Sequence, residues 1–157
     1  MKLRLLWFGR SNRSPWETQV QDYIKRIHRR WPAEDIPLRP DRRGRDADPT
    51  AALRREAEIL FEKRPRDFKL VALDEGGVEY SSVELAARLA RWEEGPAQGI
   101  LFVIGSDRGL APEVLEAAQL RLSLSRLTFP HQMARVMLWE QLYRAVDILG
   151  SGRYHRS

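Results

Sequence analysis

The sequence predicts an α/β fold in which helices cover both faces of a parallel β-sheet. Two apolar runs, residues 68–74 and 99–105, are each followed by a helical pattern, at 82–94 and 112–118. Strands that alternate with helices in this way pair in parallel, because the helix carries the chain back to the start of the next strand. The first run is apolar on both faces in its middle and the second throughout, as expected between layers of helices. We therefore expect both to be central strands of one sheet.

The N-terminal region predicts a further strand and a helix. Residues 2–9 are dense in leucine and aromatic side chains and end at a glycine, which is typical of a buried strand. Ser14, Pro15 and Glu17 then supply a capping hydroxyl, a fixed φ and a reciprocal carboxylate. With the apolar residues that follow at helical spacing, they predict an amphipathic helix to about Arg30.

The next segment is rich in proline and arginine. We expect a short extended piece at 36–39 and a mobile basic loop at 41–48, which has almost no apolar residues. Asp48 followed by Pro49 predicts a second helix, which ends at Pro65.

The C-terminal third begins with leucines that alternate with other residues at 120–129, the period of a strand. After Pro130, apolar residues at helical spacing predict a long helix over 131–149, which is ended by nearby glycines. A polar tail, RYHRS, follows. No repeat or long linker divides the chain, so we expect a single domain over residues 1–157.

Composition excludes several classes of protein. The chain has 157 residues, no cysteine and three histidines without ligand-like spacing, so we expect neither disulfides nor a metal site. Its longest apolar stretches are about seven residues, far below the roughly 20 that a membrane span needs. The N-terminus lacks the cleavage site of a signal peptide. We expect a soluble, cytoplasmic protein with no membrane segment.

Arginines are clustered in the N-terminal half. The formal net charge is +5, and 23 of the 27 cationic side chains are arginine. A genome that favours arginine codons would explain the preference over lysine equally well, but it does not explain the clustering. Arginine makes forked contacts with phosphate, so the cluster is suited to a polyanion. Its members are Arg26, Arg29, Arg30, Arg39, Arg42, Arg43 and Arg45.

Two glycine-containing loops follow the predicted central strands, at 73–77 and 105–110. Open parallel sheets bind ligands beyond the carboxyl ends of their strands, so both loops are candidate binding elements. Glycine also simply ends strands, and this alternative stays open for each loop. Neither loop has the pattern of a P-loop or of a dinucleotide site. Without cysteine or a serine elbow, the sequence has no candidate for covalent catalysis.

Polar side chains near the C-terminus admit structural and functional interpretations. Glu140 and Arg144 are four residues apart on the last predicted helix, where they would pair. Tyr154, His155 and Arg156 combine a stacking surface, a group that titrates near neutrality and a forked cation. Spacing alone favours a frayed end for these three residues, because chain termini are usually poorly ordered.

Several motifs carry a resemblance to a known family. The most specific are the segment LSLSRLTFPHQMARVMLWEQLYRA, which ends at Ala145, and the terminal YHR. The LDEG element at 73–76 and the strand FVIG before the second loop agree as well. On these motifs the whole chain resembles the ribosomal RNA large-subunit methyltransferase H family, pseudouridine N3-methyltransferases of the SPOUT class. One difference is Ser106, where the family commonly has a second glycine.

The resemblance implies a homodimer that transfers the methyl group of S-adenosylmethionine to N3 of a pseudouridine. The target lies in the helix 69 loop of 23S rRNA, on the assembled ribosome. The resemblance also implies that the C-terminal segment passes through a loop as a trefoil knot, with a knotted cofactor-binding region at about 68–157. Because the cofactor supplies the electrophile, this transfer requires neither a metal ion nor a nucleophilic side chain.

The resemblance further implies roles for individual residues. His155 is the candidate base for the N3 proton, and Arg144, Tyr154 and Arg156 are candidates for orienting the nucleobase or stabilising charge. By position, cofactor contacts are expected from Leu73, Gly105, Leu124, Ser125, Arg126, Leu127, Thr128 and Phe129.

For RNA contacts we expect the basic loop, through Arg42, Arg43 and Arg45. Two other functions stay open at this point. One is a non-catalytic ribosome-binding factor, and the other is a SPOUT methyltransferase that acts on tRNA or on another rRNA base.

Overall fold

The computed structural model describes residues 1–9, 14–40 and 48–150, and these ranges contain five strands and five helices. The strands are β1 (Lys2–Phe8), β2 (Ala33–Leu38), β3 (Phe68–Glu79), β4 (Gly99–Ile104) and β5 (Leu120–Ser123). The helices are α1 (Glu17–Ile27), α2 (Pro49–Lys63), α3 (Ser82–Glu93), α4 (Pro112–Ala117) and α5 (His131–Leu149).

The five strands are all parallel and lie in the order β2-β1-β4-β3-β5. Every residue of β4 is buried, and this strand lies at the centre of the sheet between β1 and β3. The two runs that were predicted to be central strands, β3 and β4, are neighbours in the interior of the sheet. The predicted parallel sheet is therefore confirmed.

Helices cover both faces of the sheet, as predicted. α1, α3 and α5 pack on one face, in a core that includes Trp7, Phe102 and Trp139. α2 and α4 pack on the other face, in a core that includes Leu6 and Leu101. Because side chains alternate across a strand, the adjacent residues Leu6 and Trp7 belong to opposite layers.

The start signals of two helices are formed as side-chain caps. The Asp48 carboxylate accepts a hydrogen bond from the backbone N–H of Thr50, at 2.9 Å, and caps α2 as predicted. At the start of α3, Ser81 and Glu84 form a reciprocal capping box, in which each side chain accepts from the backbone N–H of the other. Both caps satisfy donors that the first turn of a helix leaves unpaired.

The α1 helix begins two residues later than predicted. The helix begins at Glu17, and Ser14 caps no helical residue; its hydroxyl accepts from the Trp16 N–H at 3.3 Å. Instead of completing a capping box, the Glu17 carboxylate accepts a hydrogen bond from the Arg135 guanidinium at 2.9 Å. A contact with a residue distant in sequence thus replaces the local one. α1 also ends earlier than expected, at Ile27.

Two strand boundaries also differ from the predictions. β2 begins at Ala33, three residues before the expected extended piece at 36–39, because Ala33 already pairs with Leu3 of β1. β5 ends at Ser123, although the alternating pattern continues to 129. The residues after Ser123 leave the sheet and form a loop.

Two predicted segments lie wholly or mostly outside the described residues. They are the basic loop, of which the structure describes only Asp48, and the C-terminal tail from residue 151. Among the helices that are described, none is both long and apolar enough to cross a bilayer.

Candidate functional site

A cleft of about 860 Å³ opens beyond the carboxyl ends of β3, β4 and β5. Three loops line it, an outward excursion within β3 and the loops that follow β4 and β5, and they include both glycine loops predicted as binding elements. This is the edge of an open parallel sheet where ligands bind, and the volume is that of a pocket for a cofactor-sized molecule. The cleft is therefore the candidate functional site.

Seven of the eight predicted cofactor contacts line this cleft. The exception is Arg126, whose side chain is 90% exposed and places its Nε 3.6 Å from a carboxylate oxygen of Glu79. That the others meet around one cavity supports their predicted role, which stays a prediction. The seven are Leu73, Gly105, Leu124, Ser125, Leu127, Thr128 and Phe129.

The first loop is an outward excursion of β3, not a turn that ends it. Leu122 of β5 pairs with both Leu73 and Val78, so the residues between these two leave the sheet and return to it. A side chain at Gly77 would place its Cβ 2.5 Å from the Arg121 carbonyl oxygen, which explains the glycine there. The expectation that this strand ends at Asp74 is thus wrong, because pairing with β5 resumes beyond the excursion.

A salt bridge joins this excursion to β5. The Arg121 Nε donates a hydrogen bond to the Asp74 carboxylate at 2.9 Å, and its Nη2 contacts the same oxygen. Asp74 lines the cleft, so Arg121 holds one wall of the cavity in place. Sequence reasoning did not identify Arg121, because its partner lies in another strand.

The second loop is closed tightly on itself. A Cβ at Gly105 would lie 2.1 Å from the Gly109 carbonyl oxygen, and Gly109 has a φ of +81° that other residues rarely adopt. Ser106 and Gly109 form a short antiparallel bridge. The two glycines are therefore required by close backbone approach at one end and by a left-handed conformation at the other.

Ser106, the position that differs from the resembled family, connects this loop to α2. Its hydroxyl donates to the Glu56 carboxylate at 2.8 Å, and both residues are buried. The Ser106 Oγ also accepts from the backbone N–H of Arg108, at 3.3 Å. The Arg108 guanidinium lies 3.9 Å from the other Glu56 oxygen. The extra side chain is thus used for a contact with the helix beneath the loop.

Short hydrogen bonds shape the third loop and join it to the first. The Ser123 hydroxyl donates to the carbonyl oxygen of Ser125 at 2.9 Å, and the Ser125 hydroxyl accepts from the Leu127 N–H at 3.1 Å. The Thr128 hydroxyl donates to the Glu75 carboxylate at 2.7 Å and so joins the third loop to the first. Ser123 and Ser125 thus use their hydroxyls to shape the loop.

A buried cluster of charged residues around Arg135 fixes the start of α5 beside the cleft. Arg135 is fully buried, donates to both oxygens of Asp35 at 3.0 and 2.8 Å and to Glu17 at 2.9 Å. Its guanidinium also stacks 4.3 Å from the centre of the Trp7 ring. Asp35 is in turn hydrogen-bonded by the indole N–H groups of Trp7 and Trp139. The cluster satisfies each of its buried charged groups.

This cluster alters the titration of its most accessible carboxylate. Burial raises the pKa of Glu17, but hydrogen bonds from Arg135 and Gln21, together with the charge of Arg135, outweigh it, so the pKa lies below its ordinary value. Sequence reasoning missed the cluster. The available signal was an arginine at position 135 on the same helical stripe as Leu138, Trp139 and Leu142, all of which are buried.

The remaining predicted residues lie at or beyond the end of α5. Arg144 pairs with Glu140, as expected from their spacing, with Nε 3.1 Å from the carboxylate oxygen. Its predicted catalytic role stays a prediction. Tyr154, His155, Arg156, Arg42, Arg43 and Arg45 lie outside the described residues.

Two of the three histidines are in the described part of the chain. His131 is the first residue of α5, and its ring packs against Trp7 with centroids 6.5 Å apart. His28 is exposed on the surface, where its Nδ1 accepts from the Ala33 N–H at 3.4 Å. Residues 1–9, 14–40 and 48–150 contain no group of three or more potential metal ligands.

Comparison with known proteins places the chain in a family. Residues 1–155 match the family model described as "Predicted SPOUT methyltransferase". The chain is 39% identical, over 155 residues that cover 99% of each protein, to the ribosomal RNA large subunit methyltransferase H of Gloeobacter violaceus. It is 40% identical to the protein of the same name in Anaeromyxobacter dehalogenans, over 99% of this chain and all of the relative.

A solved structure supports the fold. A probable methylase family protein from Haemophilus influenzae superposes with a TM-score of 0.53 at 14% identity, over 97% of this chain and 69% of that one. The match of the family model and the full-length relatives go further, because they cover the sheet, the three cleft loops and α5 together. The chain therefore belongs to the SPOUT methyltransferase family and, within it, to the ribosomal RNA large subunit methyltransferase H group.

Proposed function

We propose that this chain methylates N3 of a pseudouridine in the helix 69 loop of 23S rRNA, on the assembled ribosome, with S-adenosylmethionine as donor. The observation that carries the proposal is full-length similarity, at 39% identity, to proteins named ribosomal RNA large subunit methyltransferase H. The cleft at the carboxyl ends of β3 and β4 supplies a matching site. Such a substrate places the protein in the cytoplasm.

The walls of the cleft fit S-adenosylmethionine. Leucines and Phe129 offer apolar surface for an adenine ring, while the closed loops present backbone groups for the ribose and the ring nitrogens. Asp74, Glu75 and Asp107 add negative charge, which complements a cofactor that carries a sulfonium and an ammonium group. When bound, the cofactor supplies an electrophilic methyl group. The residues of the chain need only bind and orient the cofactor and the nucleobase, and accept one proton.

The proton to be removed is on N3 of the nucleobase. An imide nitrogen is weakly acidic, so transfer is helped by a base and by a cation that stabilises the resulting anion. We assign the base to His155 and the cation to Arg144 or Arg156, with Tyr154 available to stack on the nucleobase. Arg144 is hydrogen-bonded to Glu140 within α5, with its Nε 3.1 Å from the carboxylate oxygen.

The proposal includes a homodimer in which the tail of one subunit completes the pocket of the other by adding the catalytic groups to it. It also includes one domain over residues 1–157, with the C-terminal segment threaded as a trefoil knot. A tail in the partner's site gives the terminal YHR a role that a frayed end would not have. The dimer doubles the formal charge of +5, which favours binding to an RNA surface.

The direct test uses ribosomes that lack the modification. They are incubated with the protein and labelled S-adenosylmethionine, and the methylated fragment of 23S rRNA is identified by mass spectrometry. We expect one methyl group on the helix 69 pseudouridine, and none on ribosomes that carry uridine there. Cofactor binding without transfer would point to a different RNA substrate, such as tRNA. Failure to bind the cofactor would favour a non-catalytic ribosome-binding factor.

Replacement of Arg42, Arg43 and Arg45 by glutamine is expected to weaken ribosome binding much more than cofactor binding. Each phosphate contact contributes a slope of about −0.7 to −0.9 in log affinity against log salt, so the triple variant should also show a shallower salt dependence. Sedimentation with ribosomes at several salt concentrations measures the first effect and calorimetry with S-adenosylmethionine the second. Equal losses of both affinities would contradict the assignment of this loop to RNA.

A further inference from the structure

We propose that Arg108 recognises the carboxylate of the amino-acid end of S-adenosylmethionine, and so makes this cleft selective for cofactors that carry that group. The inference rests on the proposed function, because it takes the cleft to be the cofactor site. It assigns a role to Arg108, for which neither the sequence motifs nor the loop geometry had indicated one.

Arg108 is distinguished by its charge within the cleft. Among the described residues that line the cavity, it is the only arginine or lysine, whereas three carboxylates, Asp74, Glu75 and Asp107, line it too. The ammonium and sulfonium groups of the cofactor are complemented by carboxylates, but its own carboxylate requires a cation or backbone donors. Arg108 is the one side chain of fixed positive charge that the described cleft offers for it.

Most N–H donors of the Arg108 guanidinium make no hydrogen bond with the described residues. Its side chain is only 19% exposed, yet its contact with a described residue is a single loose ion pair, with Nη1 3.9 Å from the Glu56 carboxylate. That distance is beyond a hydrogen bond, and the other Glu56 oxygen already accepts from the Ser106 hydroxyl. A guanidinium has five N–H donors in a planar fork that matches a carboxylate. Much of this fork is thus available to a ligand.

The loop holds Arg108 at the cavity before any ligand binds. Its backbone N–H donates to the Ser106 Oγ, and Ser106 is in turn bound to buried Glu56 of α2. The left-handed Gly109 follows directly and turns the chain back over Gly105. A cation on so constrained a loop loses little conformational freedom on binding, which favours a specific contact.

The test compares two ligands that differ only in the carboxylate. S-adenosylmethionine and its decarboxylated analogue are titrated by calorimetry into the full chain, the R108Q variant and the R91Q variant. Arg91 is an exposed arginine near the C-terminal end of α3, so R91Q changes the net charge equally without touching the cleft. Thermal unfolding of each variant confirms that it is folded.

We expect the unaltered chain to bind S-adenosylmethionine about tenfold more tightly than the decarboxylated analogue, the effect of one charge-assisted contact. R108Q should lose this preference through weaker binding of S-adenosylmethionine alone, and R91Q should keep it. Equal weakening of both ligands by R108Q, or no weakening, would overturn the inference, as would the same loss in R91Q. If the unaltered chain bound neither ligand, the proposed function itself would fail at its cofactor.

Discussion

A chain that ends after Arg153 is expected to lose methyl transfer to ribosomes while it retains its fold and its affinity for S-adenosylmethionine. The deletion removes Tyr154, His155 and Arg156, to which we assign the base and its supporting groups. General-base catalysis contributes about 100-fold to 10,000-fold, so the loss should be at least about 100-fold in rate. Single-turnover transfer of a labelled methyl group to ribosomes measures the rate, and calorimetry measures cofactor affinity.

The matched control is a chain that ends after Arg156. It lacks only Ser157 and keeps the three proposed residues, so its rate should equal that of the full chain. Replacement of His155 alone by glutamine separates the base from the rest of the tail and should reproduce most of the loss. Full activity of the chain ending at Arg153 would contradict any catalytic role for the tail.

Mixed dimers can test whether the tail acts on the partner's cleft. One subunit ends after Arg153; the other keeps its tail but carries G105A, whose Cβ would lie 2.1 Å from the Gly109 carbonyl oxygen and so disrupt its cleft. If the tail serves the partner, the mixed dimer has one intact cleft with one intact tail, and mixing should restore activity. If each tail serves its own subunit, mixing two inactive proteins should restore nothing.

The sheet could be predicted from sequence because its signal is local. The runs at 68–74 and 99–105 are short and mostly apolar, and a helical pattern separates them. A short apolar run between helical patterns is typical of a strand that is buried on both faces. The extension of β3 to Glu79 could not be predicted in this way. It depends on Leu122 pairing twice, with Leu73 and again with Val78, which is a property of two strands together.

The site was predictable to a different extent. Periodicity alone indicated that two glycine loops lie at one edge of the sheet, and the resemblance supplied the third loop and the individual contacts. What it could not supply was Arg135 with its partners, because Asp35 and Glu17 lie about a hundred positions away in the chain and are adjacent only after folding. Local pattern had instead assigned Glu17 to a helix cap. Long-range ion pairs leave no periodic trace in a sequence.

Replacement of Arg135 by methionine is expected to lower the free energy of unfolding by about 3–5 kcal/mol, the cost of leaving a buried charge without its partner. Asp35 is almost fully buried and would keep only the two indole N–H donors. Glu17, about one-third exposed, would lose its cation at lower cost. Urea denaturation at fixed protein concentration measures the change, since dimerisation would make apparent stability depend on concentration.

The pH dependence of this loss distinguishes charge from packing. The pKa of Glu17 is lowered in the folded protein, so its contribution to stability is present above the ordinary carboxyl pKa and disappears as the pH falls through the lowered value. R135M lacks the part of that contribution that Arg135 supplies and keeps the part from the hydrogen bond of Gln21. The difference in stability between the unaltered chain and R135M should therefore shrink as the pH is lowered below about 4. A difference that stayed constant would indicate lost packing alone.

A second substitution shows whether the isolated Asp35 carboxylate causes the loss. In the double variant D35N/R135M both charges are removed. Trp7 and Trp139 now donate to different oxygens of Asp35, so the single asparagine oxygen can accept from only one of these two indole N–H groups. Removal of a whole buried ion pair costs far less than removal of one member, so the double variant should be more stable than R135M. If it were no more stable than R135M, the isolated carboxylate would not be the main cause of the loss. The loss would then come from contacts that both variants lack, such as the guanidinium over the Trp7 ring, whose contribution as a cation–π contact is about 0.5–2 kcal/mol.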